Sequence, residues 1–215
     1  KYDVAAPRYT SYPTVPYWSE SPTSEQWVEE LRSTYAAPAA DGGEMTWSMY
    51  IHIPFCETLC TFCGCNTSIT KDHGRETPYL NLLHQEWNTY LQKVPLMRER
   101  PLRQLHLGGG TPTFFSAESL RKLLEPMLKD IKRDPKYFEG SIEVDPRRTK
   151  VDQLEVLREL GFTRVSMGVQ DFNPEVQRLV NRIQPRAMTE TLTKQARELG
   201  YESVNFDLIY GLPKQ

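Results

Sequence analysis

From Trp47 onward, apolar runs of strand length at 48–53, 104–107, 141–144, 164–169 and 203–209 alternate with segments of helical period. The helical segments fall at 78–93, 117–130, 151–160 and 186–199, with a shorter one at 174–180. Five strand-then-helix units are the simplest count. Such alternation predicts parallel strands joined by right-handed crossovers with the helices outside, an α/β fold that is either a doubly wound sheet or a (β/α) barrel. Residues 1–46 lack the alternation: Pro7, Pro13, Pro16 and Pro22 punctuate an irregular arm, with one short helix from 24 to 35 capped by Thr23 or Ser24. The chain thus divides into an arm, 1–46, and an α/β unit, 47–215.

Both architectures place their chemistry at the carboxyl ends of the strands. There the sequence is polar or glycine-rich: Pro54-Phe55-Cys56 after the first run, Gly108-Gly109-Gly110-Thr111 after the second, Glu143 and Asp145 at the third, Gln170 and Asp171 at the fourth, Asn205 and Asp207 at the fifth. Tyr50 and His52 alternate with Met49 and Ile51, so both face one side of the first strand. His52 reads equally as a pocket residue and as a satisfied core histidine.

Composition changes the picture little until the cysteines. With 39% hydrophobic and 25% charged residues the chain is an ordinary globular one, and a net charge of −2 gives no field to gather nucleic acid or anionic lipid. No run approaches the roughly 20 apolar residues of a membrane span, and Lys1-Tyr2-Asp3-Val4 lacks the apolar core of a signal peptide. The expectation is a cytoplasmic protein without nucleic-acid or membrane partners. All four cysteines, however, lie between positions 56 and 65. Disulfides would staple distant loops; thiols this crowded point to a shared metal or cluster.

Cys56-x3-Cys60-x2-Cys63 supplies three thiolates from one loop, enough for three corners of a cubane cluster whose fourth iron stays open. A structural zinc module is the alternative, but such sites usually take two ligand pairs separated by a longer insert, and Cys65 is poorly placed to close a tetrahedron. A thioredoxin-like role for Cys60-Thr61-Phe62-Cys63 is weaker, since two further thiols crowd the loop. The glycine run lacks the Lys-Ser/Thr ending of a triphosphate loop and better suits the charged end of an amino-acid-like ligand, although a plain tight turn also explains it. A nicotinamide-dependent oxidoreductase fails, because cysteines stand where a G-x-G-x-x-G would follow the first strand. Glu143, Gln170, Arg182 and Asp207 each read singly as surface or capping residues; jointly at one mouth they favour a ligand pocket.

The cluster loop in the context Tyr50-Ile51-His52-Ile53-Pro54-Phe55-Cys56 resembles the radical S-adenosylmethionine superfamily. Further stretches narrow the resemblance to the oxygen-independent coproporphyrinogen III oxidases. These are Arg8 to Thr14, Gly64-Cys65, Gly108 to Thr113, Ser141 to Pro146, Gly168 to Asn173, Val180-Asn181-Arg182 and Asp207 to Pro213. A haem-trafficking relative shares the cluster loop, but Cys65, Asp171 and Asn181 depart from its pattern.

The resemblance implies a TIM-like partial (β/α) barrel of the radical SAM type. It implies a [4Fe-4S] cluster on Cys56, Cys60 and Cys63, with Cys65 an extra thiol, and two S-adenosylmethionine molecules. Tyr50, Gly109 and Glu143 would contact the first; Phe62, Gly110, Thr111, Gln170, Arg182 and Asp207 would contact the second. Tyr50 and His52 are the candidate catalytic pair. The implied reaction breaks the sulfonium C–S bond with one electron, forms a 5′-deoxyadenosyl radical, and decarboxylates two propionates of coproporphyrinogen III to the vinyl groups of protoporphyrinogen IX. The implied partners are that porphyrinogen and an electron donor such as flavodoxin or ferredoxin, with the enzyme a monomer. Arg8, Arg147 and Arg186 are candidates for gripping propionates, each equally readable as a surface charge. The lack of an initiator Met and the end at Gln215 predict a fragment, truncated before the barrel end and a C-terminal domain, that leaves a sheet edge and an apolar face uncovered.

Overall fold

The computed structural model describes residues 17–39 and 42–215. The arm motif from Arg8 to Thr14, with Arg8 itself and the first three prolines, lies outside the described residues.

The first helix, α1 (Ser24–Ala36), opens with a reciprocal cap: the Gln26 amide nitrogen donates to the Thr23 hydroxyl, and the Thr23 amide donates to the Gln26 side chain. The chain continues through β1 (Trp47–Ile53), β2 (Phe55–Cys56), β3 (Ser68–Ile69), α2 (Glu76–Lys93), β4 (Leu102–Gly109) and α3 (Ala117–Lys129). It then runs through β5 (Glu139–Val144), α4 (Val151–Glu159), β6 (Phe162–Gln170), α5 (Pro174–Leu179), α6 (Arg186–Glu198) and β7 (Ser203–Leu208).

Five strands form one parallel sheet in the order β1-β4-β5-β6-β7. Chain order and spatial order therefore agree. A doubly wound sheet reverses direction at a switch point, whereas a barrel adds each strand beside the last. The winding is that of a barrel, open between β1 and β7 among the described residues.

One face of the sheet makes the core. Ile51, Ile53, Leu105, Leu107, Ile142, Val144, Val165 and Met167 are at most 5% exposed and join α2, α3, α4 and α6 in one hydrophobic cluster. Each such side chain stabilises the fold by about 1.5–3 kcal/mol. The intervening residues, among them Tyr50, His106, Ser141, Glu143 and Ser166, face the other way and keep partial exposure. Helix α1 closes the amino-terminal end through Tyr35, whose ring meets Trp47 edge-on at 6.0 Å, while Trp47 stacks on Trp87 at 6.2 Å.

Strands β4, β5 and β6 each begin two residues before the apolar runs at 104–107, 141–144 and 164–169. Strand β4 starts at Leu102 and runs to Gly109, longer than the apolar run, because Leu102 pairs with Trp47 and, after an irregularity at Arg103, the pairing to β1 resumes at Gln104 and runs into the glycines. The cluster loop also carries a small parallel ladder, Phe55↔Ser68 and Cys56↔Ile69, too short to show a periodicity. On the last strand Phe206 is 44% and Leu208 65% exposed. Among the described residues no helix is long and apolar enough to cross a membrane.

Candidate active site

The loop that carries the cysteines is anchored on three sides. Phe55 is buried against Tyr79, Phe114 and Phe115, with ring centroids at 5.3, 5.1 and 6.5 Å. The glycine run lies directly against the loop: the Gly110 amide donates to Ile53 O and the Thr111 amide to Phe55 O, both at 2.9 Å. A Cβ at Gly110 would come within 2.6 Å of Pro54 O, and Gly109 holds φ +120° with a Cβ position 2.8 Å from Ile53 O, so both need glycine. On the third side, the turn after α5 grips the loop through Thr61 N to Val180 O at 3.2 Å and the Asn181 side-chain amide to Leu59 O at 2.8 Å.

These anchors leave a cavity of about 320 Å³ at the carboxyl ends of the strands. Cys56, Cys60, Cys63, Phe62, Gly109, Gly110, Thr111, Glu143, Gln170, Arg182 and Asp207 all line it. The structure thus brings together eleven of the thirteen residues picked from the sequence. Asp207 is held in place by Ser166, whose hydroxyl lies 3.0 and 3.1 Å from its two carboxylate oxygens. Cys56 Sγ shares a 3.2 Å hydrogen bond with the Thr111 hydroxyl. Burial raises the Cys56 thiol above its ordinary value, with Cys63, Asp145 and Cys60 adding to the shift and Thr111 opposing it. Cys65 is exposed, yet partial desolvation and Cys63 beside it push it up to about 11.

Tyr50 and His52 do not line that cavity. They stand further back on the sheet, where the Tyr50 hydroxyl lies 3.1 Å from His52 Nδ1 and His52 Nε2 is 2.9 Å from Asn66 O. A carbonyl can only accept, so Nε2 carries the proton and Nδ1 accepts from Tyr50. His52 is therefore not a residue of the cysteine-lined cavity but a brace between β1 and the return of the cluster loop. Desolvation first, then the Glu143 charge, raises the Tyr50 phenol above its ordinary value and keeps it a donor.

His106, absent from the candidates above, connects this pair to the cavity. It stacks on Tyr50 at 5.7 Å, meets Ser141 Oγ with Nδ1 at 2.7 Å and Glu143 Oε1 with Nε2 at 3.3 Å. Its signal was present in the alternation of β4, which places it on the face of Tyr50 and Glu143. Asp145, Arg147 and Arg148 also line the cavity. Burial alone would raise the Asp145 carboxyl, but Arg147 hydrogen bonds and the charges of Arg182 and Arg147 outweigh it and hold the carboxyl below its ordinary value. Of the propionate candidates, Arg147 is ion-paired and mostly buried, whereas Arg186 is 76% exposed and pairs with Glu190 on its own helix at 2.7 Å.

The site fits a thiolate-held cluster with a small polar ligand beside it. All four cysteines are free, two guanidiniums approach Cys60, and the buried Arg182 Nε has no hydrogen-bond partner among the described residues. Among the described residues no group of three His, Cys, Asp or Glu side chains, the loop cysteines included, is arranged around a single-ion position.

The family model described as the radical SAM superfamily matches residues 50–215, and the chain belongs to that superfamily. Membership implies a [4Fe-4S] cluster and S-adenosylmethionine as cofactors. Over its full length the chain is 45% identical to proteins named oxygen-independent coproporphyrinogen III oxidase from Pseudomonas aeruginosa and from Escherichia coli K12, covering 45% and 44% of their lengths. A solved structure titled as coproporphyrinogen III oxidase (HemN) from Escherichia coli, a radical SAM enzyme, superposes with a TM-score of 0.83 at 43% identity. That match covers 96% of this chain and 45% of the other. The chain therefore spans less than half the length of the relatives it matches.

Proposed function

We propose that this chain is the cluster-bearing part of an oxygen-independent coproporphyrinogen III oxidase, which converts two propionates of coproporphyrinogen III to vinyl groups and yields protoporphyrinogen IX. The observation that carries the reading is the convergence of Cys56, Cys60 and Cys63 with the glycine loop, Glu143, Gln170, Arg182 and Asp207 on one cavity, in a chain 45% identical to proteins of that name. Cys65, Asp171 and Asn181 favour it over a haem-trafficking relative.

Within this reading the three cysteines hold the [4Fe-4S] cluster. When bound, the cluster and S-adenosylmethionine supply one-electron reduction and a hydrogen-abstracting radical. The chain's own residues bind and orient. Gly109 exposes backbone to a first S-adenosylmethionine, Glu143 takes its polar groups, and Tyr50 contacts it while the Tyr50–His52 pair and His106 keep Glu143 aligned. Phe62, Gly110, Thr111, Gln170, Arg182 and Asp207 contact a second: Arg182 offers its guanidinium to a carboxylate, and Asp207 accepts from hydroxyl or amino groups. The proposed setting is a cytoplasmic monomer reduced by a donor such as flavodoxin or ferredoxin.

Anaerobic reconstitution of the full-length protein with iron and sulfide tests this. About four irons per chain, a brown absorption band, 5′-deoxyadenosine formation with dithionite and protoporphyrinogen from coproporphyrinogen III are the expected results. A colourless, zinc-loaded protein overturns the reading, and 5′-deoxyadenosine without porphyrinogen turnover overturns the substrate assignment.

A further inference from the structure

The carboxyl end of β5 carries a charge arrangement of which the proposed function uses only Arg182. Asp145 is 6% exposed, and Arg147 folds back onto it with Nε 3.0 and 3.1 Å from the two carboxylate oxygens and Nη2 2.7 Å from Oδ2. Arg182, 8% exposed, approaches the same carboxylate from the turn after α5, with Nη2 3.3 Å from Oδ1 and Nη1 3.4 Å from Oδ2. Two guanidiniums on one carboxylate leave a net positive charge in a nearly dry site. Both also point at one sulfur: Arg147 Nη2 lies 3.8 Å and Arg182 Nη1 3.7 Å from Cys60 Sγ.

Charge balance for Asp145 needs only one of these arginines. Arg182 serves that purpose while reaching towards the cavity, and its Nη2 is further fixed by Gly168 O at 2.7 Å. Arg147 is the surplus cation. It cannot swing to solvent, because its own amide donates to Asp145 Oδ1 at 3.0 Å and its fork closes on the same carboxylate. What the second guanidinium reaches beyond Asp145 is the Cys60 sulfur.

We infer that Arg147 sets the reduction potential of the cluster through Cys60, with Asp145 as the clamp that aims it. The inference rests on Cys60 being a cluster ligand. Reduction adds one electron, delivered by an external low-potential one-electron reductant, and a cation held near a ligand sulfur favours the more negative, reduced state. No bond forms or breaks at Arg147 and no proton moves. Removing it leaves Asp145 and Arg182 as a neutral pair, so the reduced state loses a full unit of compensating charge.

The test is a dye-mediated redox titration of the reconstituted full-length protein, with iron counted beforehand. At the solution potential where the wild-type cluster is half reduced, Arg147→Gln and Arg147→Met each lower the ratio of reduced to oxidised cluster about fivefold or more at unchanged iron content. Arg147→Lys, which keeps the charge, stays within about twofold of wild type. Two neutral variants guard against one that fails to assemble. Neutral variants that match the wild-type ratio, loss of iron from both, or a Lys variant that falls as far as the Gln variant overturn the inference in favour of a purely structural clamp. A wild-type protein that binds no iron overturns the cluster assignment itself, and iron counting reveals that before any potential is measured.

Discussion

The two faces of the central sheet carry different kinds of information. On the outer face Ile51, Leu105, Ile142, Val165 and their neighbours are sealed under helices and are interchangeable in chemistry, differing only in shape. On the inner face Tyr50, His106, Ser141, Glu143 and Ser166 are polar, partly exposed and bonded to one another or to groups at the strand ends. A parallel sheet covered by helices on both sides would be apolar on both. The polar inner face therefore belongs to a barrel interior, and the difference between the faces separates what holds the fold from what serves the site.

Adjacent residues of β5 offer the sharpest way to break that comparison. Ile142→Ala removes a fully buried side chain from the outer face and lowers stability by about 2–5 kcal/mol in urea denaturation, with activity per folded molecule retained. A loss of turnover without loss of stability would erase the distinction. Glu143→Gln, one residue along, does the reverse: stability stays within about 1 kcal/mol, while 5′-deoxyadenosine formation falls about a hundredfold, in line with removal of a positioned polar contact. Equal effects on both quantities would place Glu143 with the scaffold.

A pH series gives a smaller effect of defined sign. Asp145 and Glu76 both have carboxyls held below their ordinary values. For Glu76 the opposing desolvation is outweighed by hydrogen bonds from Ser119, Ser116 and His73. A group with a depressed folded value contributes stability above its unfolded pKa and loses it as pH falls through the folded one. The urea midpoint is thus flat from about pH 7 to 5 and declines below about pH 4; Asp145→Asn shallows that decline. A midpoint that rises on acidification would contradict the ion-paired geometry. Smallest of all, Arg186→Ala changes stability by less than about 0.5 kcal/mol, since its exposed helical pair with Glu190 is screened by solvent.

Much of the site was legible along the chain because its parts lie where strands end. Cys56, Gly109, Glu143, Gln170 and Asp207 each follow or close an apolar run, and parallel winding carries every such end to the same side. Strand existence was legible for the same reason, through alternation. What escaped were elements without a pattern: the two-residue ladder of β2 and β3, and the start of β4, where buried Leu102 is cut off from the apolar run by polar Arg103 and Gln104.

Side-chain pairings across the sequence were decided by tertiary structure alone. The sequence determined the alternation, the direction of each strand and the identity of the thiols, since these depend on local period and residue chemistry. Whether the sheet winds as a barrel or doubly, whether Arg147 is a surface charge or a buried clamp beside Cys60, and whether His52 lines the cavity or braces Asn66 all depend on groups 14 to 122 positions apart meeting in space. No local pattern encodes such meetings. They arise when the apolar face collapses under its helices and the polar residues left on the other face find the partners that geometry supplies.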